Sequence, residues 1–283
     1  MLIVCPTPIG NLDDVTPRQH RALEEADIIA CEDTRRTGKL LSLLEIERID
    51  GVPRLWRYDD HSAAEETPRL IEEMQGGETV VLASDAGTPT ISDPGYRLVR
   101  GCREADIEVV ALPGPVAGIV ALSGSGLPTD RFFFEGFLAT TSTARQNRLE
   151  ALDELGTTVV LYASPHRILE VLSDVEAVCG SDRELCVARE LTKLHEEYLT
   201  GEVAEIRRRL DERMPVHGEF VICIGPGRQE ADGDQKWAEA DRLIAALDGQ
   251  DLSSRTIKEV VDEVCDVPRS KIYDRIEAVA DDE

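Results

Sequence analysis

Lysine is scarce in this chain. Its 283 residues include 31 basic and 56 acidic ones, a formal net charge of −25, and only five of the basic residues are lysines. Such a chain repels nucleic acid on average, because phosphate contacts supply most non-specific affinity, so any nucleic-acid contact has to come from local basic clusters. An acidic, lysine-poor surface also fits a salty cytoplasm, where screening shortens electrostatic forces to a few ångströms. Cysteine pairs at CxxC spacing are missing too. Cys5, Cys31, Cys102, Cys179, Cys186, Cys223 and Cys265 are scattered, mostly inside apolar runs, which points to small buried hydrophobes in a reducing compartment, not to a disulfide framework or a metal site. No stretch reaches the roughly 18 uninterrupted apolar residues of a membrane span. The opening MLIVCPTPIG has no basic segment, so no signal peptide is expected, and the expectation is a soluble cytoplasmic protein with no metal and no membrane partner. Phosphate-binding signatures are also lacking: there is no GxxxxGK[ST], and the GxG at Gly124–Gly126 has no third glycine and follows no strand. A nucleoside triphosphate is therefore not the expected ligand.

What is present is an alternation of short apolar runs with amphipathic stretches. LIVCP (2–6), ADIIACED (26–33), TVVLAS (79–84) and EVVALP (108–113) read as strands, with RLWRY (54–58) a weaker one. Between them TPRQHRALEEA opens with Thr16 as N-cap and Pro17 at the first helical position, and Ala22, Leu23 and Ala26 share a face. This predicts an α/β domain over residues 1–113 with a largely parallel sheet. RFFFEGF, TVVLYAS, ELCVARE and EFVICIG predict a second α/β domain over 114–230, with SPHRILEVLSDV as a helix and hairpin-like elements near EEYLTGEVAEI. The polar EADGDQ leads into a helical tail, 231–283, in which Arg255, Lys258, Arg269, Lys271 and Arg275 mark either a helix-turn-helix or a helical cap.

In an open α/β sheet the ligand lies beyond the carboxyl ends of the strands. There the chain places PTPIGNL (6–12), EDTRRT (32–37), SDAGTPTISDPG (84–95) and PGPVAG (113–118), all built from Gly, Pro and small polar residues that let backbone approach a ligand. Any one of these loops could merely build turns, with Thr34 or Ser92 capping helices. Together they favour a neutral or cationic ligand, for which Asp33, Asp85 and Asp93 are acceptable neighbours.

TPIGNLDDVTPR, ACEDTRRTGKLL, SDAGTPTISDPGYRLV, LPGPVAGIVALSGSGLP, FFFEGFL, SPHRI and RELTKLHEEYLTGEV follow one another in order from residue 6 to about 206. In this the chain resembles the ribosomal RNA small subunit methyltransferase I family of the tetrapyrrole methylase superfamily. The resemblance implies two α/β domains with S-adenosylmethionine in the cleft between them, a homodimer, and 2'-O-methylation of a cytidine in the decoding region of 16S rRNA within the small ribosomal subunit. By motif it implies that the cofactor touches Pro8, Gly10, Ser84, Asp85, Ala86, Gly87, Ile91, Ser92, Pro115 and Ala117. Glu32, Thr34, Arg35, Arg36, Ser164, His166, Arg167 and Arg189 would face the substrate. Lys193, Glu190 and Asp33 are the expected catalytic groups, with His166 a further candidate for the base. The chain departs from the family pattern at Ala163, where YESPHR is usual, at GFLATTSTARQNR, where a lysine-rich continuation is replaced by one whose only basic residues are Arg145 and Arg148, and at His195. A tetrapyrrole C-methyltransferase would share fold and cofactor but should carry a GxGxGD-like first loop. A non-catalytic RNA- or ribosome-binding protein on the same fold is the remaining alternative.

Overall fold

The structure is a computed structural model, and it describes residues 1–213, 215, 217–227, 237, 240–247, 252–265, 267, 272–273 and 275–276. Residues Met1–Gly225 form one compact unit containing two five-stranded sheets.

The first sheet holds β1 (Leu2–Val4), β2 (Ile28–Cys31), β3 (Arg54–Arg57), β4 (Val80–Ala83) and β5 (Val109–Ala111) in the order β3-β2-β4-β1-β5, all parallel. Its central strands β2 and β4 are buried at every position, as expected where helices cover both faces of a parallel sheet. The period of two divides their side chains. Ile28, Ala30, Val80 and Leu82 pack with α3 (Ala63–Gln75) and α4 (Tyr96–Glu104) through Leu70, Met74 and Leu98. Ile29, Cys31, Val81 and Ala83 pack with α1 (Pro17–Glu24) and α2 (Thr34–Leu43) through Leu23 and Leu41. Each such fully buried aliphatic side chain contributes roughly 1.5–3 kcal/mol.

Helix α1 starts at the expected cap: Thr16 Oγ1 accepts the Gln19 amide at 3.2 Å, and the Gln19 side chain returns the bond to the Thr16 amide at 2.7 Å. Ala26 lies beyond the helix end, although it is buried in the same cluster as Ala22 and Leu23. Helix α2 is capped by Asp33, not Thr34, since the Asp33 carboxylate accepts the Arg35 amide at 2.8 Å.

The second sheet is mixed. Strands β6 (Phe132–Phe137), β7 (Thr158–Ala163), β8 (Glu184–Arg189), β9 (Glu197–Glu202) and β10 (Phe220–Ile224) lie in the order β6-β7-β10-β8-β9, with only β6 and β7 parallel and β8–β9 a hairpin. One face packs on α6 (Ser142–Asp153), α7 (Ile168–Cys179) and α8 (Val203–Asp211). The other takes α5 (Ala117–Ser125), whose glycines allow close approach: a Cβ on Gly118 would lie 3.1 Å from Phe134, and one on Gly124 would lie 2.7 Å from the Tyr198 ring. Ile9, from the loop after β1, joins this α5-facing cluster, so the first sheet's loops are packed into the second sheet's core. The predicted helix at SPHRILEVLSDV begins four residues later, at Ile168; Ser164–Arg167 form a turn whose Ser164 carbonyl accepts the Arg167 and Ile168 amides.

Pro226–Glu283 form a second compact unit. Its described residues include α9 (Ser254–Val264) and a small apolar core of Ala240, Ile244, Ile257, Val261, Ile272 and Ile276. Arg269 and Lys271, which the helix-turn-helix reading needs, lie outside the described residues. Among the described residues no helix is long and apolar enough to cross a membrane.

Candidate active site

Backbone and hydroxyl bonds stitch together the loops at the carboxyl edge of the first sheet. Thr7 and Gly87 exchange amide–carbonyl bonds of 2.9 and 3.0 Å, the Thr7 hydroxyl donates to the Ser84 carbonyl at 3.0 Å, the Ser84 hydroxyl to the Gly87 carbonyl at 3.0 Å, and Thr88 Oγ1 to the Pro115 carbonyl at 2.9 Å. Gly87 has φ +90°, a region a side chain rarely adopts, and Thr90 and Ser92 are held at φ 76° and 59°. Strained positions of this kind persist only where surrounding bonds over-determine them, and they cluster at ligand sites.

These loops and the second sheet enclose a cavity of about 350 Å³. Its walls are largely apolar, from Ile9, Ile91, Val116, Ala117, Phe137 and Tyr162, and no Lys or Arg lines it. Edge-on contacts from Phe134 and Phe137, at 5.2 and 5.4 Å, fix the Tyr162 ring, whose hydroxyl accepts the Gly118 amide at 3.2 Å. Two carboxylates reach the cavity wall, Asp93 and Glu219. Burial, and then repulsion from Glu32, Asp85 and Asp60, push the Asp93 carboxyl up to about 6 against the pull of the Ser84 hydroxyl.

A second, polar cavity of about 590 Å³ is lined by Glu32, Asp33, Thr34, Arg35, Arg36, Arg57 and Asp85. Arg36 Nη1 lies 3.1 Å from Asp85 Oδ2, while Asp85 Oδ1 is buried without a partner. Arg35 holds Asp33 at 3.1 Å and keeps that carboxyl down at about 2. Burial, with Asp85, Asp59 and Asp60, raises Glu32.

The loop after β8 is strained as well, with Glu190 at φ 50° and Thr192 at φ 64°. Lys193 Nζ donates to Glu190 Oε1 at 2.9 Å and to Glu219 Oε2 at 3.1 Å. Burial alone would lower the Lys193 pKa, but these two carboxylates outweigh it and raise it. For Glu190, burial is likewise outweighed, by Lys193 and the Glu219 amide, and its carboxyl is held low. Gly10 lies directly against this lysine: a Cβ there would come within 2.5 Å of Lys193 Cγ.

Residues 1–207 match the family of Tetrapyrrole (Corrin/Porphyrin) Methylases. Over 273 residues the chain is 41% identical to a ribosomal RNA small subunit methyltransferase I from Synechocystis sp., covering 96% of each chain. It is 42% identical over 274 residues to the protein of that name from Escherichia coli O157:H7, covering 96% of this chain and 93% of the other. The chain belongs to this family. Among solved structures, the methyltransferase CobJ matches with a TM-score of 0.58 at 21% identity over 80% of this chain and 93% of that one. A Thermus thermophilus uroporphyrin-III C-methyltransferase complexed with S-adenyl homocysteine matches with a TM-score of 0.53 at 16% identity, over 79% and 96%. At those identities the likeness establishes the tetrapyrrole methylase fold.

Within this methylase the sequence-derived residues separate into groups. Ala86, Gly87, Ile91, Ser92, Ala117 and Ser164 line the apolar cavity. Pro8, Gly10, Ser84 and Pro115 belong to the same loops but line neither cavity, and the Asp85 side chain belongs to the polar cavity, beside Glu32, Asp33, Thr34, Arg35 and Arg36. His166 and Arg167 line neither cavity. Arg189 is engaged elsewhere, donating to the His217 carbonyl at 2.8 Å and lying 3.8 Å from Glu197. Arg145 is buried against Asp174 at 2.6 Å, and Arg148 is paired with Glu135 at 2.6 and 2.8 Å, so the replaced continuation after GFL presents no unpaired cation. Sequence reasoning missed the aromatic wall of Phe137 and Tyr162, for which FFFEGF and TVVLYAS held a signal at their strand ends. It also missed Glu219 and Arg57, single charges with no motif around them.

Proposed function

We propose that this methylase uses S-adenosylmethionine to methylate the 2'-hydroxyl of a cytidine in 16S rRNA, acting as a cytoplasmic homodimer on the small ribosomal subunit. The observation that carries the reading is the pairing of an apolar, cation-free cavity walled by Asp93 and Glu219 with a polar, arginine-edged cavity next to it. An adenosine suits the apolar wall, and a sulfonium suits the Asp93 carboxylate in a cavity that no Lys or Arg lines, Glu219 being already paired with Lys193. Ala86, Gly87, Ile91, Ser92, Asp93 and Ala117 would hold the cofactor. When bound, it supplies an electrophilic methyl group on a sulfonium.

The chain's own residues would then do the rest. The loops orient the attacking hydroxyl, whose oxygen would form its bond to the methyl carbon as the carbon–sulfur bond breaks and whose proton would leave to solvent; near-attack alignment of this kind can supply about 7–11 kcal/mol of the barrier. Lys193 stays an ammonium, because Glu190 and Glu219 raise its pKa, so its role is to steady negative charge growing on the ribose oxygen, not to remove a proton. Glu190 fixes that ammonium in place. Asp33 is held low and tied to Arg35 and the start of α2, which suits it to orienting an arginine more than to accepting a proton.

The test is transfer of a labelled methyl group from S-adenosylmethionine, offered in parallel to 30S subunits lacking the modification and to a tetrapyrrole acceptor. Label in the RNA supports the proposal, and label in the tetrapyrrole alone overturns it.

A further inference from the structure

Among the described residues, several of the basic side chains that could contact RNA are already paired with carboxylates. Arg145 is buried, Arg148 faces Glu135, Arg207 faces Glu176 at 2.6 Å, and Arg208 faces Glu212 at 2.8 Å. The polar cavity differs in bringing three guanidiniums to one opening: Arg35, Arg36 and Arg57, with side chains 90%, 71% and 74% exposed. Arg35 and Arg36 come from the first turn of α2, and Arg57 from the end of β3, where it lies 2.8 Å from Asp59.

We infer that Arg57 is a third substrate-binding arginine, closing with Arg35 and Arg36 on a phosphodiester of the RNA at the mouth of this cavity. The inference rests on the rRNA reading given above. Each guanidinium is already presented by a carboxylate: Arg35 by Asp33, Arg36 by Asp85 and Arg57 by Asp59. Exposed ion pairs of this kind contribute little, so a phosphate oxygen can take the carboxylate's place at small loss. The arginine fork matches phosphate geometry with two parallel N–H bonds, which a lysine lacks. The carboxylates also keep the opening near neutral until a phosphate arrives. That disfavours loose polyanions and favours a phosphodiester that engages all three arginines at once.

The experiment measures binding of the full-length protein to unmodified 30S subunits across a salt series, for the parent, Arg57→Gln and Arg57→Lys, with calorimetry for S-adenosylmethionine alongside. Loss of one phosphate contact should weaken binding about 5- to 20-fold at low salt and flatten the slope of log K against log salt by about 0.7–0.9. Arg57→Lys should restore the slope and only part of the affinity, and cofactor affinity should match the parent in both variants. Unchanged affinity and slope in Arg57→Gln, with the parent binding normally, overturn the third arginine and leave the rRNA reading intact. A parent that binds no 30S subunits overturns both. Because Arg57 lies at the exposed end of an edge strand, thermal melting of the variants serves as the check on folding, and a changed slope at unchanged melting temperature supports the inference.

Discussion

Replacing Asp93 with Asn separates what the cavity needs for binding from what the fold needs for stability. The carboxyl is displaced from 3.8 to about 6, chiefly by burial, so the ionised form is disfavoured in the folded protein by about two pKa units. At roughly 1.4 kcal/mol per unit the penalty is at most about 3 kcal/mol, and partial solvent contact reduces it to about 1–2 kcal/mol. The sign follows from linkage. A carboxyl whose folded pKa is raised binds its proton more tightly in the native state, so the penalty is absent below about pH 4, grows between 4 and 6, and is complete above 6. Asp93→Asn should therefore stabilise the ligand-free protein by about 1–2 kcal/mol at pH 7.5 and by nearly nothing at pH 4, measured by urea denaturation at both pH values. The same variant should bind S-adenosylmethionine about 5- to 30-fold more weakly at pH 7.5, because the sulfonium loses a carboxylate; in the parent, affinity should fall as pH drops through 6. A variant that is less stable at pH 7.5, or equally shifted at every pH, refutes the electrostatic reasoning. Unchanged cofactor affinity refutes the role of Asp93 as counter-ion.

Three further predictions concern other parts of the chain. Lys193→Ala should lower kcat by about 10²- to 10³-fold, the scale of losing one oxyanion donor, with cofactor affinity near that of the parent; methylation surviving at the parent's rate would remove Lys193 from the mechanism. Arg145→Ala leaves Asp174 buried beside only Ser142 and Gln146, and breaking such a pair should destabilise the protein by about 3–5 kcal/mol in urea melts, whereas a purely surface role would leave the midpoint unmoved. Circular dichroism over a salt series should show the folded state strengthening with salt, as repulsion among 56 acidic residues is screened; a midpoint indifferent to salt sinks the saline-cytoplasm reading.

The first sheet was largely legible because a parallel sheet covered on both faces writes itself as unbroken Val, Ile and Leu runs, as at 28–31 and 80–83. The N-cap at Thr16 was legible for a similar reason, being wholly local. The order of the second sheet was not, because pairing β10 between β7 and β8 depends on contacts far apart in sequence. The same distinction governs the site. The loops after β1, β2, β4 and β5 carried their own Gly and Pro signals, and the structure gathers them at one edge. Which side of the loop each residue serves was hidden, since Asp85 and Ala86 are neighbours in sequence yet line different cavities. The burial of Arg145 was hidden because nothing near it in sequence announces Asp174, 29 residues away. Glu219 acquires its place only when β10 sets it beside Lys193.

Nucleoside analysis of 30S subunits after incubation with the protein and S-adenosylmethionine tests the central claim most directly. The account predicts one new 2'-O-methylcytidine per 16S rRNA, absent when cofactor is omitted and formed about 10²- to 10³-fold more slowly by Lys193→Ala. A methyl group on a base, on a nucleoside other than cytidine, or on no RNA at all would contradict it.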